Sequence, residues 1–571
     1  MKNIYLFFAF ILLTSISLNS QTDCEAGEAS TKLAVNNIDA GLLNSGDMFW
    51  DLSNGKYEYP AGSDKNLMFA AALWMGGTDD MGELHMAAQT YRQSGTDFFS
   101  GPISNDSTSC IDFDRFWSVD GTVITSFLTA FDANEIIAET DVDSILLGWP
   151  GKNNPYFSNI TGFDLAIDKD FAPFWDENED GVYNPLDGDY PVIDSEVAGV
   201  YADQMIWWMF NDAANEHIET GGLPIEMEVG VLAYAWSSND YRNNATFYRY
   251  TFNYKGEQNL SDFYIGQWVD GDLGNFEDDF IGCDTTENMG YFYNGDDLDD
   301  ELNGYGDEIP MIGVKLLEDL DGNNDDDIKM SSFIYYNNDF DVTGNPESSS
   351  DYYNYLQGKW KDGTPFTQGG NGYGGEIPTQ FVYPSNPIDP NGWSECSESN
   401  PPADRRFMIN MGPFDLTPGE SRSATVAYIV APEDQITYPC PSIDVLVDIS
   451  QQADSFYQQQ QLAFYDTVTL IMDDTTSWVT SIEDITLMPT SVYPNPAKEY
   501  VVLAMKELKD FKKDRINIID NLGRIIKVIK TDPVVDDQRV VVGDLPDGIY
   551  FYEILDNADQ VLSVGKFLIS Q

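Results

Sequence analysis

The segment from Asp176 to Asp187 carries oxygen-bearing side chains at the spacing of a calcium-binding loop. Counted from Asp176 as position 1, Asn178 and Asp180 occupy positions 3 and 5, and Asp187 occupies position 12. Position 7 is Val182, which would offer its backbone carbonyl, and the glycine at position 6 permits a sharp turn. Calcium needs several hard oxygen ligands around one point, and this spacing wraps a chain around one ion. The pattern predicts a calcium site, against the alternative of an Asp/Asn-rich turn without an ion.

Two further acidic loops could gather carboxylates around calcium, which is the cofactor that we expect. The first follows an apolar run and contains Asp270, Asp272, Asp278, Asp279 and Asp284. The second lies in an Asn-rich segment and contains Asp319, Asp321, Asn323, Asp325 and Asp327. Alternating acids in a loop are equally typical of a solvated surface, so both interpretations stay open for each loop.

Nucleophilic catalysis has few candidate residues in this sequence. His85 and His217 are its two histidines, and no Gly-x-Ser-x-Gly elbow is present. A glycosidase needs two carboxylates and aromatic platforms. With 96 acidic residues and 12 tryptophans, the sequence offers many combinations that meet this requirement. The requirement therefore does not distinguish a glycosidase from a protein without this activity. The acids from Asp270 to Asp284 are the candidates for such a cleft, and we assign no catalytic residue.

Composition is that of a globular protein with a strongly acidic surface. The 571 residues carry a formal net charge of −67 at pH 7, and 42% of them are hydrophobic. The apolar content excludes a disordered polyanion, and the negative charge argues against nucleic acid as a partner. The excess of acidic residues also favours solubility in a salty extracellular medium. Export would permit disulfides among the five cysteines, of which Cys396 with Cys440 is our suggested pair.

The chain begins like a secretory precursor. Lys2 precedes an apolar run from Ile4 to Leu13, and small or polar residues follow up to Ser20. This arrangement predicts a signal peptide over residues 1–20. No later apolar run approaches the roughly 20 residues of a membrane-spanning helix, so we expect no transmembrane segment in the mature chain.

The elements that must position the acids are predicted to be mainly β-strands. From Tyr248 to Tyr254, aromatic side chains alternate with polar ones, which is typical of a strand with one buried face. One late helix is predicted over residues 442–465, with a serine at its N-cap. We expect a large β-rich, β-sandwich-like cargo region. Its N-terminal part spans 21–167, and its main domain, with the calcium-type loops and the late helix, spans 168–475.

After a linker at 476–490, the last segment, 491–571, has a different composition. It contains 11 Lys+Arg and 13 Asp+Glu, a balance of −2 against −67 for the whole chain. Its short apolar runs alternate with Gly, Asn, Asp and Pro turns, as in a small immunoglobulin-like β-sandwich. We therefore predict a separate C-terminal domain.

Ordered motifs in this domain carry a resemblance to a known family. The motif residues are Tyr493, Pro494, Asn495, Pro496, Ala497, Gly523, Gly548 and Tyr550. Together they resemble the type A C-terminal sorting domain of the type IX (Por) secretion system of Bacteroidota. The resemblance implies that the type IX secretion machinery is a partner. It also implies export across the outer membrane, to the cell surface or the medium.

The cargo is similar to another group of sequences, more loosely. Residues 69–77 and 267–274 resemble segments of large Bacteroidota surface proteins that share the sorting domain, and this resemblance implies no mechanism. We expect a calcium-stabilised binding, adhesion or structural protein outside the cell, with cell-surface polysaccharide or extracellular glycan as a candidate partner. The alternative is a secreted carbohydrate-active hydrolase that uses paired carboxylates.

Overall fold

A computed structural model divides the chain into two compact units, Met1–Met472 and Asp473–Gln571. The predicted signal peptide and linker lie outside the described residues. These are 24–93, 95–104, 108–134, 138–167, 169–197, 199–299, 303–318, 320, 330–468, 491–493, 497–498, 500–504, 513–519, 525–531, 537–543, 545, 548–556 and 561–569.

The first unit is mainly β, as predicted. Its strands are β1 (Ser30–Leu33), β2 (Asp39–Leu43), β3 (Asp47–Met48), β4 (Tyr57–Glu58), β5 (Asn66–Asp79), β6 (Leu84–Ala88), β7 (Phe99–Ser100), β8 (Trp117–Asp120), β9 (Phe174–Trp175), β10 (Tyr190–Pro191), β11 (Gln204–Asn211), β12 (Met227–Ala235), β13 (Ala245–Tyr254), β14 (Leu260–Gly271), β15 (Asp279–Asp284), β16 (Met289–Asn294), β17 (Met311–Glu318), β18 (Ser332–Asn337), β19 (Phe366–Thr367), β20 (Pro378–Thr379), β21 (Arg405–Leu416) and β22 (Ser421–Ala431). Its α-helices are α1 (Ser109–Asp112), α2 (Gly121–Asp132), α3 (Ser144–Leu147), α4 (Phe157–Thr161), α5 (Ser349–Leu356), α6 (Glu395–Glu398) and α7 (Asp444–Val468). Short 3-10 helices span Glu139–Asp141, Pro185–Asp187, Tyr241–Asn244 and Glu433–Gln435.

Two large antiparallel sheets form the centre of this unit. Sheet 1 has the order β1-β2-β3-β5-β14-β21-β18, with β4 paired to β2 and β5 and with β6 paired to β5. Sheet 2 has the order β15-β16-β17-β22-β13-β12-β11-β7, with β8 beside β11. Each sheet uses strands from both sides of residue 168, so the ranges 21–167 and 168–475 build one unit together.

The main hydrophobic core lies between the two sheets. Strand β13 confirms the predicted alternation, because Tyr248 and Tyr250 are buried in this core while the intervening Arg249 faces the other side of sheet 2. The Tyr250 hydroxyl donates to Gln267 Oε1 of β14 at 3.1 Å, across the space between the sheets. Burial of such large aromatic side chains contributes to the hydrophobic driving force that packs the two sheets together.

A second core covers the opposite face of sheet 2. Helix α7 confirms the late helix predicted at 442–465, and its Leu446 is buried in this core, which also contains Trp207 and Phe247. The Tyr457 hydroxyl of α7 donates to Glu318 at 2.6 Å, and Glu318 pairs with Arg249 at 2.5 Å. Helix α2 adds to this layer and was not predicted. Five of its 12 residues are β-branched, which lowers the local helix propensity, and the packing of Ile124 and Phe127 in this core stabilises the helix.

The outer face of sheet 1 is aromatic beneath helix α5. The Trp74 ring stacks on Trp268 with an interplanar angle of 13°, and Tyr352 of α5 meets Trp74 edge-on at 4.6 Å. Both tryptophans are fully buried. Since side chains alternate along a strand, Asp270 of β14 lies on the same face as Trp268. In the register of sheet 1, Asp270 stands opposite Arg406 of β21.

Two disulfides link distant segments of the first unit. Cys396 is bonded to Cys440, which confirms the suggested pair, and Cys24 is bonded to Cys110. Cys283 is a buried free thiol.

The second unit is a small β fold with its own core. Its strands are β23 (Ser491–Tyr493), β24 (Tyr500–Ala504), β25 (Lys513–Ile519), β26 (Ile525–Lys530), β27 (Asp537–Val541), β28 (Gly548–Asp556) and β29 (Val561–Ile569). They form two antiparallel sheets, β23-β24-β27 and β26-β25-β28-β29. Of the motif residues, Ala497 and Tyr550 are buried in the core, Tyr493 ends β23 and Gly548 begins β28. The remaining motif residues, Pro494, Asn495, Pro496 and Gly523, lie outside the described residues.

Candidate metal centres

The loop at 176–189, which we call the calcium-type loop, folds around its own oxygen atoms. Asp176 Oδ1 and Asn178 Oδ1 both accept from the backbone N–H of Asp180, at 3.2 and 3.1 Å. Two predicted ligand oxygens therefore lie within a few ångströms of one atom. Asp180 Oδ1 in turn accepts from the Val182 N–H at 2.8 Å. Gly181 has φ +76° with open space around its Cβ position, so position 6 adopts the conformation that the pattern requires.

The predicted ligand at position 12 lies at the edge of this loop. Asp187 is exposed and its Oδ2 accepts from Asn184 Nδ2 at 2.6 Å. A residue that the spacing did not indicate, Asp189, closes the loop from inside. Its buried carboxylate accepts from the N–H groups of Glu177 and Asn184 at 2.9 and 2.7 Å.

The surroundings of Asp189 inside the calcium-type loop disfavour the negative charge of its carboxylate. Burial raises the pKa of Asp189 to about 6, and the charges of Asp176 and Asp180 add to this increase. Within the described part of the chain, no lysine or arginine forms an ion pair with Asp176, Asp180 or Asp189. The arrangement could therefore accept a cation.

Three carboxylates meet at the end of β14, and we call Asp270, Asp272 and Asp404 the acidic cluster. One oxygen of each lies within 4.8 Å of the others. Arg406 lies against two of them, with Nη1 at 2.6 Å from Asp404 Oδ1 and Nε at 3.1 Å from Asp270 Oδ1. The Tyr91 hydroxyl donates to Asp270 Oδ2. Sequence spacing identified Asp270 and Asp272, and sheet pairing adds Asp404 and Arg406.

Sheet 1 explains why these residues meet. Asp270 is near the end of β14 and Asp272 follows that strand, while Asp404 stands just before β21. Antiparallel pairing of β14 with β21 brings the end of one strand beside the start of the other. Burial raises the pKa of Asp270 to about 6 although Arg406 opposes this change, and burial with the charges of Asp270 and Asp404 raises that of Asp272 strongly.

The other acids of the first predicted acidic loop lie outside the acidic cluster. Asp279 begins β15, is buried and accepts from the Leu273 N–H at 3.1 Å. Burial, together with the charge of Asp299, raises the pKa of Asp278 to about 7. Asp284 ends β15, where its Oδ1 accepts from Thr286 and Glu287 in a tight turn. The second predicted loop lies outside the described residues, namely Asp319, Asp321, Asn323, Asp325 and Asp327.

The two histidines are hydrogen-bonded to backbone carbonyl oxygens, and the free thiol is buried. His217 is buried, with Nδ1 2.7 Å from Met86 O and with Nε2 bonded to Asp212 O. His85 Nδ1 lies 2.5 Å from Pro224 O. Over the described ranges, no serine or cysteine side chain is hydrogen-bonded to either histidine. Burial also raises the pKa of the Cys283 thiol. The nucleophile–base pair of a triad is thus absent from this part of the chain.

Comparison with known proteins identifies the C-terminal domain. Residues 491–570 match the family model of the secretion system C-terminal sorting domain, which confirms the resemblance. The chain is therefore a cargo of the type IX secretion machinery, exported across the outer membrane to the cell surface or the extracellular space. No helix among the described residues has the length and apolar character needed to cross a membrane.

Comparisons of the remaining chain are less informative. No curated protein matches it. One solved structure that matches is a polysaccharide lyase, with 9% sequence identity and a TM-score of 0.18. The match covers 60% of this chain, which spans about one third (34%) of the lyase chain. A likeness at this TM-score supports no conclusion about activity.

Proposed function

We propose that this type IX cargo is a calcium-stabilised binding or adhesion protein of the cell surface or extracellular medium. The observation that carries the proposal is the calcium-type loop, where Asp176 and Asn178 direct oxygens at one backbone amide and Asp189 closes the loop. Hard oxygen ligands from a short loop are the donor set that calcium prefers. Extracellular calcium would neutralise carboxylates for which the described residues provide no cation.

The hydrolase alternative is less well supported. Oxygens of Asp270, Asp272 and Asp404 lie within 4.8 Å of one another, so they are closer together than the roughly 5–5.5 Å separation of a retaining glycosidase pair. Arg406 is ion-paired with Asp270 and Asp404, and Asp270 is 1% exposed. Trp207, Trp208 and Trp268 are also at most 2% exposed, so they offer no platform to a sugar. A polysaccharide-hydrolysis screen of the mature protein tests this alternative, and we expect no turnover.

Glycan binding is supported by one exposed aromatic residue. The glycine-rich loop at 369–375 is anchored, because Trp360 Nε1 donates to Gly372 O at 3.0 Å and the Tyr335 hydroxyl donates to Asn371 O at 2.8 Å. On this loop Tyr373 is 40% exposed and its hydroxyl donates to Asp362 at 3.0 Å. A fixed aromatic ring beside a carboxylate suits a sugar, which offers an apolar face and hydroxyl donors.

A glycan array probed with the mature protein tests this surface. We expect Tyr373→Ala to remove binding to any glycan that the unmodified protein retains. Phe340→Ala is the matched control, because Phe340 is 74% exposed on another loop. Equal loss in both variants, or no loss in Tyr373→Ala, would reject this contact surface.

Calorimetric titration of the mature protein with calcium tests the loop site. We expect Asp180→Ala to lose one calcium equivalent, because Asp180 supplies the position 5 oxygen. Glu179→Ala is the control, since Glu179 is equally acidic and exposed but is not at a ligand position. An unchanged titration in Asp180→Ala would refute calcium binding by this loop.

Removal of residues 491–571 tests the division into cargo and sorting domain. The two units have separate cores, so we expect the truncated cargo to fold and to remain in the periplasm. Cell fractionation with protease protection measures its location. Surface delivery of the truncated cargo would contradict the role of this domain.

A further inference from the structure

Both ring nitrogens of the buried His217 face backbone carbonyl oxygens. The residue lies in the loop at 212–226, which joins β11 to β12. Its Nδ1 lies 2.7 Å from Met86 O of β6, and its Nε2 is hydrogen-bonded to Asp212 O. A carbonyl oxygen accepts hydrogen bonds but donates none, so each ring nitrogen needs a proton of its own. The neutral imidazole has one N–H and the imidazolium has two, so the contacts are those of an imidazolium.

Two buried carboxylates supply the negative charge that such a cation needs. Asp97 Oδ2 lies 3.9 Å from Nδ1 and Asp212 Oδ2 lies 3.7 Å from Nε2, and both side chains are fully buried. Asp97 accepts from the Glu219 N–H at 2.9 Å, and Asp212 accepts from the Met227 N–H at 2.6 Å. Such donors favour the ionised form of a carboxyl group. In the described part of the chain no lysine or arginine is ion-paired with either acid, so His217 is their counter-charge. We call these three residues the histidine clamp.

Most other ionisable groups around the histidine clamp are acids or phenols. They are Asp47 of β3, His85 of β6, Glu219 and Glu226 of the loop, and Tyr352 of α5. Burial raises the pKa of Glu219 to about 7. Burial also raises the pKa of Asp212, although the charge of His217 opposes this change. Arg92 pairs with Asp47, and His85 Nε2 lies 3.9 Å from Asp79 Oδ2. The neighbouring basic side chains thus lie against other carboxylates.

The histidine clamp connects the two large sheets. Strand β6 belongs to sheet 1, whereas β11 and β12 belong to sheet 2. Beside the histidine, the Met86 N–H donates to Leu223 O at 3.0 Å, and Thr220 Oγ1 donates to Met86 O at 3.2 Å. A neutral His217 would direct a lone pair at one carbonyl oxygen and would leave both buried acids without a counter-charge. Each change disfavours the contact between the loop and β6.

We propose that His217 is a buried imidazolium that holds the loop at 212–226 against β6, and that this contact opens when alkaline pH removes one of its ring protons. The fold thus contains a pH-sensitive connection between sheet 1 and sheet 2. This connection uses no metal ion, so it is independent of the calcium sites and of the proposed function.

Nitrogen NMR of the mature protein labelled with 15N-histidine tests the charge directly, because the sequence has two histidines. Protonated and unprotonated ring nitrogens resonate apart, so the spectrum distinguishes an imidazolium from either neutral tautomer. The signals that remain in His85→Gln are those of His217. We expect both His217 nitrogens to carry protons at pH 7.5, a pH at which an exposed histidine is mostly neutral. A neutral tautomer of His217 at pH 7.5 would overturn the proposal.

Hydrogen exchange followed by mass spectrometry tests the opening of the loop. We expect the backbone amides of Ile225 and Met227, which donate to Asp212, to exchange about tenfold faster in His217→Gln at pH 7.5. Glu216→Gln is the matched control, because Glu216 is an exposed acid next to the histidine and should leave the exchange unchanged.

The same measurement on the unmodified protein does not depend on whether His217→Gln folds. Once the rates are corrected for the intrinsic effect of pH, the two amides should lose protection at the pH where the NMR signals show a neutral His217. Full protection at that pH would contradict the clamp. Equal exchange in His217→Gln and Glu216→Gln would contradict it as well.

Discussion

The calcium-type loop and the acidic cluster hold carboxylates in two different ways. In the loop, backbone N–H groups from the same 14 residues (176–189) approach the acids, as with Asp176 and the Gly181 N–H at 2.7 Å. In the cluster, the acids lie at the end of β14 and just before β21, and one side chain, Arg406, opposes their charge. Several backbone N–H groups donate hydrogen bonds to the carboxylates of the loop. The three carboxylates of the cluster instead share the positive charge of one residue, Arg406.

This difference predicts which substitutions lower the stability of the protein most. Losing one N–H donor in the loop leaves the others in place, and water can reach the exposed positions. Losing Arg406 would leave three neighbouring carboxylates without any counter-charge among the described residues. We therefore expect the cluster to respond more strongly than the loop to single substitutions in the absence of calcium.

The largest effect is expected for Arg406→Met. Removing one partner of a buried ion pair typically costs about 3–5 kcal/mol in the free energy of unfolding. Urea denaturation in chelator measures the change. Arg242→Met is the control, because Arg242 pairs with Asp240 at the surface and such pairs contribute less than about 1 kcal/mol. Similar losses in the two variants would contradict the difference between loop and cluster.

A smaller effect is expected for Asp189→Ala in the loop. The variant leaves the N–H groups of Glu177 and Asn184 without their acceptor, which costs about 2–3 kcal/mol in chelator. Asp187→Ala should change stability little in chelator, because Asp187 is exposed. In calcium it should become destabilising if position 12 is a ligand. Equal loss for the two variants without calcium would show that Asp189 does not close the loop.

Stability without calcium should fall as the pH rises from 4 to 7. Burial raises the pKa values of Asp189 and Asp270 to about 6, above their unfolded values near 4, so the folded state retains these protons longer. The stabilisation is complete below pH 4 and is lost as the pH passes through about 6, by about 1–2 kcal/mol per group. Calcium should flatten this decline, because the ion replaces the protons. Urea titrations at several pH values measure it, and rising stability over this range would contradict the burial of these acids.

The smallest effect is expected for Val182→Ala. Position 7 of the loop contributes a backbone carbonyl, so the side chain should be replaceable with a change below about 0.5 kcal/mol. Calcium affinity measured by titration should stay the same within a factor of two. A loss of affinity comparable to that of Asp180→Ala would mean that the chain does not wrap the ion as the spacing predicts.

Sequence reasoning succeeded where the relevant contacts are local. The strand pattern of β13 and the late helix follow from periodicity, and the sorting domain follows from ordered motifs within 80 residues. In the calcium-type loop the oxygens of Asp176 and Asn178 lie near one another, whereas Asp187 lies at the edge of the loop. Asp189 was missed because it lies two positions beyond the spacing rule and acts through backbone hydrogen bonds.

The acidic cluster could not be predicted without knowledge of the fold. Asp270 and Asp404 are brought together by pairing of β14 with β21, which no local pattern reveals. A signal was nevertheless present. Asp404-Arg405-Arg406 stands at the start of an apolar strand in a chain with 29 Lys+Arg against 96 Asp+Glu. An arginine that enters such a strand is buried and needs an acidic partner. Helix α2 was missed for a related reason, since packing rather than propensity stabilises it.

Thermal unfolding of the mature protein in calcium and in chelator tests calcium stabilisation most directly. An ion that binds the folded state at 100 times its dissociation constant adds about 2.7 kcal/mol to the free energy of unfolding. We therefore expect a higher Tm in calcium, and a smaller increase in Asp180→Ala. The same Tm with and without calcium, together with no difference in Asp180→Ala, would show that the protein is not stabilised by calcium.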